Sequence, residues 1–245
     1  MVTRKELKQR AKAQLGGGIF TSRWLTALLV CFVASLLLGA LNVPGAISGA
    51  LQTAKTISEG STSVSIHFSL FGSLGSIVFL LLSGPLAYGL NRMFLKQARD
   101  NEDMVFADLF KGFSDDFVGN IVLALATTLF TFLWSLLFVI PGIVKAFAYS
   151  QVYYIKADHP DYDWKACINE SKRLMQGHKG ELFVLYLSFI GWFFVGALCL
   201  GIGTLWVEPY LEAAKAHFYQ NLLIVEGAAP APNTAPDPWN GQQPE

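Results

Sequence analysis

The residues of this sequence most able to do chemistry are ionisable side chains set inside apolar runs. Lys145 stands in PGIVKAFAYSQVYYI, and Glu208, Glu212, Lys215 and His217 stand in WVEPYLEAAKAHFYQNLL. Within a bilayer each such charge costs a few kcal/mol even on lenient insertion scales, so these residues are the first suspects for a site. If Pro141 and Pro209 lie at similar depth, a rise of 1.5 Å per residue carries Lys145 about 6 Å and Glu212 about 4.5 Å further in. The matched depth predicts a Lys145–Glu212 ion pair between two helices. Tyr149 and Tyr210 would add hydrogen bonds, and Glu208 and Lys215 would flank it. Such a pair can pin helices together, or form a polar patch for a headgroup, ion or proton. A third reading is that both side chains simply reach the membrane interface.

Other chemistry leaves little trace. There is no G-x-S-x-G elbow, no phosphate-binding loop, no H-E-x-x-H and no intramembrane Asp pair, so a non-enzymatic protein is expected. Asp158, His159, Asp161 and Asp163 are spaced like a metal loop, but Pro160 among them favours a solvated turn that ends a helix. Cys31, Cys167 and Cys199 are odd in number and far apart, and two sit in apolar runs; they read as small core residues. No cofactor or metal is expected. Lys plus Arg equals Asp plus Glu at 18 each, so no global basicity points to nucleic acid.

The elements that must position these side chains are membrane helices. Hydrophobic residues make up 53% of the 245 and charged residues only 15%, against about 25% in soluble domains. Runs at 24–41, 66–90, 118–140 and 182–205 each approach or exceed the roughly 20 residues needed to span a bilayer, and none contains Asp, Glu, Lys or Arg. The first is too long for the apolar core of a signal peptide and reads as a retained helix.

Basic residues decide the remaining two segments. Six fall in 1–23, one in 42–65, four in 91–117 and five in 156–181. Cytoplasmic loops are enriched in Lys and Arg, so the first, third and fourth of these segments share one side of the membrane. The chain must then cross twice between 117 and 156, by 118–140 and 142–155, turning at Pro141-Gly142. By the same logic 207–225 returns after 182–205. The expected architecture is all-α: six transmembrane helices in three hairpins, residues 1–226, both termini cytoplasmic.

An internal echo supports three hairpins. KELKQRAKAQLGGG, FADLFKG and WKACINESKRLMQG each end an amphipathic stretch in Gly (Gly17, Gly112, Gly177) before a long apolar helix. The returning segments SGPLAYGLNRMF, IPGIVKAFAYSQVYY and VEPYLEAAKAHFYQ each carry a proline; with Pro85 laid on Pro209, Phe94 falls on Phe218. Short helices on the cytoplasmic interface would precede each hairpin. The first carries Arg4, Lys5, Lys8, Arg10 and Lys12, suited to an anionic leaflet or serving as a topology determinant.

Three stretches carry a family resemblance: VIPGIVKAFAYSQVYYIKADHP, SKRLMQGHKGELFVLYLSFIGW and LGIGTLWVEPYLEAAKAHFYQNL. With the basic opening KELKQRAKAQL they resemble the bacterial integral-membrane family catalogued as domain of unknown function 975, over about residues 3–224. The resemblance implies a multi-pass protein of the bacterial cytoplasmic membrane and brings no activity with it. Residues 227–245, rich in Pro and Ala, read as a disordered cytoplasmic tail. The expected partners are the lipid bilayer and a protein met through the cytoplasmic face or the tail. A small permease or exporter centred on Lys145 and Glu212 is the alternative.

Overall fold

The computed structural model describes residues 3–17, 21–37, 70–198 and 202–227. The expectations for 38–69, including the start of the second span, and for the tail from 228 onward lie outside the described residues. Within them the chain is all-α, with no strand.

Helix α1 (Arg4–Gln14) is capped by Thr3, whose side chain accepts from the Glu6 amide. Then follow α2 (Ser22–Leu37), α3 (Leu70–Asp100), the short turns α4 (Phe106–Leu109) and α5 (Lys111–Ser114), and α6 (Phe117–Leu137). The chain continues through α7 (Val139–Ala148), α8 (Val152–Asp158), α9 (Trp164–Leu174), α10 (Lys179–Leu198) and α11 (Ile202–Val225). Helices α6 with α7 and α10 with α11 lie side by side as hairpins, and α3 packs against α6, α8 and α11. Helix α1 lies on α11, sending Leu7, Ala11 and Leu15 into a core shared with Phe94, Tyr154, Leu185, Phe189, Phe218 and Leu222. The i, i+4, i+8 spacing of those three residues makes a single helix stripe, which is what α1 needs to dock.

Two described helices are long and apolar enough to cross a membrane, Phe117–Leu137 and the window Lys179–Gly196. Helix α2, at Ser22–Leu37, is apolar but shorter. Helices α3 and α11 have the length but mix charged residues into it.

The second hairpin departs from the expected 118–140 and 142–155. The turn comes earlier, at Phe138, whose extended backbone (φ −156°, ψ 142°) separates α6 from α7. Pro141 then sits in the first turn of α7, where a missing N–H costs nothing. Gly142 is required there because a Cβ would run into Ser135 across the turn. The returning arm is also broken. Helix α7 has 10 residues, about 15 Å, half the thickness of a hydrocarbon core. Residues 149–151 interrupt it with tighter turns, Ser150 N–H donating to Phe147 O and Val152 N–H to Tyr149 O. The groups freed by the interruption are taken by Ser171 of α9. Its hydroxyl donates to Ala148 O at 2.7 Å and accepts from Gln151 N at 3.3 Å, with Ser171 wholly buried.

The third hairpin shifts as well. Helix α11 begins at Ile202, so Pro209 is inside it, as Pro85 is inside α3, and neither opens a helix. The two arms meet closely at Gly196 and Gly203, where a Cβ on Gly203 would stand 2.7 Å from Gly196 Cα.

The echo survives in part. Gly17 (φ 77°) and Gly177 (φ 87°) end their helices in the left-handed region that glycine enters without penalty. Gly112 does not; it is small because Pro85 O presses on it. Phe94 and Phe218 are both buried, and the same alignment sets buried Gln97 on buried Asn221.

Candidate functional site

Helix α11 presents Glu208, Glu212 and Lys215 at i, i+4 and i+7, a spacing that puts all three on one face. Lys215 Nζ lies 2.8 Å and 2.9 Å from the two Glu212 carboxylate oxygens, and the side chains are only 18% and 14% exposed. Tyr154 of α8, Tyr186 of α10 and Cys31 of α2 stand within electrostatic reach of this pair. The Tyr154 ring stacks on Tyr219 at 5.3 Å, and its buried hydroxyl has no hydrogen-bond partner among the described residues. A buried phenol without a partner is costly, so this is the point in the centre with unused hydrogen-bonding capacity.

The expected Lys145–Glu212 pair is not formed. Lys145 Nζ sits 4.6 Å from the ring centroid of Trp134, across the α6/α7 hairpin, a cation–π contact. Glu212 is taken by Lys215, one turn along its own helix. Matched depth says nothing about the direction a side chain faces, and a partner three residues away on the same face was nearer than any on α7. The two supporting tyrosines are elsewhere too. Tyr149 is buried beneath Lys172, whose Nζ lies 5.7 Å from its ring. Tyr210 donates to Lys8 O at 3.2 Å and packs on Trp24 and Phe189 at 5.8 Å and 4.9 Å. Of the named candidates, Glu208, Glu212 and Lys215 share one centre, while Lys145, Tyr149 and Tyr210 do not belong to it.

Sequence reasoning missed a collar of ion pairs at the ends of α3, α8 and α9 and the start of α6. Lys156, 3% exposed, reaches Asp116 Oδ2 at 2.7 Å and the carbonyls of Pro160 and Tyr162 at 2.8 Å each. Asp116 also caps α6, accepting from the Gly119 amide at 2.9 Å. The Lys156 hydrogen bond, helped by that amide and opposed by partial burial, holds the Asp116 carboxyl below the usual carboxylate range. Arg99 grips Asp158 with two 2.9 Å bonds, and the Tyr219 hydroxyl donates to the same carboxylate. Arg173 joins Glu170 to Glu226, lowering the Glu170 pKa through its hydrogen bond. Arg92 meets Asp115, and Arg23 meets Asp103 at 2.8 Å. The acidic residues spaced like a metal loop serve here instead: Asp158 binds Arg99, and Asp163 caps α9 through the Ala166 amide. The available signal was the clustering of opposite charges at the ends of the apolar runs.

A groove of about 480 Å³ runs between α6 and the broken arm, lined by Thr127, Thr131, Ser135, Tyr149, Ser150 and Tyr153 among others. The hydroxyls of Thr127, Thr131, Ser135 and Ser150 all donate to carbonyls of their own helix turns. Four of the hydroxyl groups on its wall thus have their protons already committed.

No curated protein and no solved structure matches the chain. A family model described as "Protein of unknown function (DUF975)" matches residues 1–148 and 136–226. By that match, which leaves out only the last residues of the 245, the chain belongs to the DUF975 family.

Proposed function

We propose that this is a multi-pass protein of the bacterial cytoplasmic membrane, non-enzymatic, acting through lipid or a protein partner at its charged end. The observation that carries the reading is the distribution of surface. Leu29, Phe32 and Leu36 on α2, Leu129, Phe132 and Leu136 on α6, Ile140 and Ile143 on α7, and Leu187, Ile190 and Phe194 on α10 are all exposed. Exposed apolar area on this scale calls for a non-aqueous neighbour. The ionic collar lies beyond it, as charges do at a membrane boundary. Six spans with both termini inside is the topology that best reconciles the basic loops with these faces. In that topology α7 and α8 together make the fourth crossing, about 30 Å over 20 residues. Cysteine-accessibility labelling from both sides along 141–155 and 207–225 tests it; labelling of 156–181 from outside overturns it.

The unpartnered Tyr154 hydroxyl beside Glu212 and Lys215 supports a second reading, a small permease with its polar centre there. Water access to position 212 from either side separates the two. A labelled Glu212→Cys favours transport, and a protected one favours the closed bundle.

A further inference from the structure

A pocket of about 420 Å³ opens where the start of α1 meets the start of α10, and the charges at its mouth are unevenly used. Arg4 is exposed and makes no ion pair among the described residues. Glu181, 47% exposed on its side chain, faces His178 Nδ1 at 3.7 Å, too long for a hydrogen bond and an ion pair only when the imidazole is protonated. One cation and one anion therefore face the same cavity without neutralising each other. Beneath them the wall becomes apolar, with Leu7 and Phe218 buried and Val184 half-buried.

Depth fixes what could fill it. Gly180 and Glu181 are in the first turn of α10, at the edge of its apolar window, and Val184 lies about 6 Å further along, which on the membrane reading is where acyl chains begin. The Gly180 backbone also lines the pocket, next to amides of the first turn that have no intrahelical acceptor. A group placed here would have negative charge toward Arg4 and positive charge toward Glu181, with hydrocarbon against Leu7, Val184 and Phe218.

We propose that this pocket binds the headgroup of a zwitterionic aminophospholipid, phosphate on Arg4 and primary ammonium on Glu181. The proposal rests on the membrane reading above. A singly anionic headgroup would satisfy Arg4 but leave Glu181 facing it. A trimethylated headgroup would place a cation near Glu181 with no N–H to donate.

The test uses the full chain in detergent, titrated with dihexanoyl-phosphatidylethanolamine, -phosphatidylcholine and -phosphatidylglycerol, and with free phosphoethanolamine, bound fraction being read by native mass spectrometry. Expected is at least about tenfold tighter binding of the ethanolamine lipid than of the choline or glycerol lipid, with free phosphoethanolamine weaker because it lacks the chains. Glu181→Gln should remove the preference over choline, and Arg4→Gln should weaken all three lipids. Both side chains are exposed, so neither variant should disturb folding. Equal binding of the three lipids, a preference for the glycerol lipid, or insensitivity to both substitutions overturns the site. Alkaline carbonate washing separates the premise: a chain that stays with the membrane yet shows no lipid preference sinks only the pocket, and a chain that washes off sinks the membrane reading with it.

Discussion

The two charged regions of the molecule are built on opposite plans. In the collar each ion pair that reaches across elements ties a helix to something else: Lys156 to the cap of α6, Arg99 of α3 to the end of α8, Arg173 of α9 to Glu226 just beyond α11. In the centre, Lys215 and Glu212 sit on one helix and the neighbouring phenol has no hydrogen-bond partner among the described residues. A pair confined to one helix cannot hold two helices together. The collar therefore adds ties between helices to the apolar core they share, and the centre does not. What the centre does is keep two charges close to neutral inside an apolar surrounding, at little cost in geometry.

The contrast is broken most directly at Lys156. Lys156→Ala removes three bonds from a buried ammonium and leaves Asp116 and two carbonyls short, so a loss of roughly 3 kcal/mol is expected. Thermal unfolding of the detergent-solubilised chain, followed by loss of the monodisperse peak, measures it; an unchanged midpoint would remove the collar from the account.

Ser171→Ala should come next, at about 1–3 kcal/mol, because Ala148 O and Gln151 N both lose their partner in a buried place. Ser171→Cys, which keeps a weak donor, should recover part of that.

Acid offers a subtler test. Asp116 and Glu170 have folded pKa values below their ordinary ones, so the stability they contribute is present above the unfolded values, near pH 4, and fades as pH falls through the lowered folded values. Unfolding midpoints should drop below about pH 4, and Asp116→Asn should flatten that drop. A profile identical in the variant would show that the Lys156 bond is not what sets the carboxyl.

The last pair of tests belongs to the centre. A double-mutant cycle on Glu212 and Lys215 should give a coupling of about 1 kcal/mol or more, because the side chains are only 18% and 14% exposed and either charge left alone there is costly. The cycle on Lys145 and Glu212 should be additive, since Lys145 rests on Trp134. Coupling in the second cycle would restore the cross-helix pair that the geometry denies.

How much of this the sequence held depends on the distance between cause and effect. Apolar runs mark both ends of α6 and the start of α10 to within three residues, because length and composition are local properties, but the run to 205 overshoots the end of α10 at Leu198 and enters α11. Proline was legible as a marker but not as a boundary: at 141 it sits just inside a helix, and at 85 and 209 it is buried within one. The break at 149–151 has no local signature, since the hydroxyl that permits it comes from Ser171 on another helix. The polar centre was half legible. Glu208, Glu212 and Lys215 follow from helical spacing, whereas Lys145 was admitted on depth alone and its azimuth turned it to Trp134. Tyr154 is far from Lys215 along the chain, and only the fold brings the two together.

The pin in the broken arm also sets an order of events. Ser171 lies 20 residues downstream of Gln151, so at synthesis rates of about 5–20 residues per second it emerges roughly one to four seconds later. During that interval Ala148 and Gln151 have been made but lack their partner, and the second hairpin cannot reach its final shape. Its completion waits on α9, a helix made only after α6, α7 and α8 have all left the ribosome.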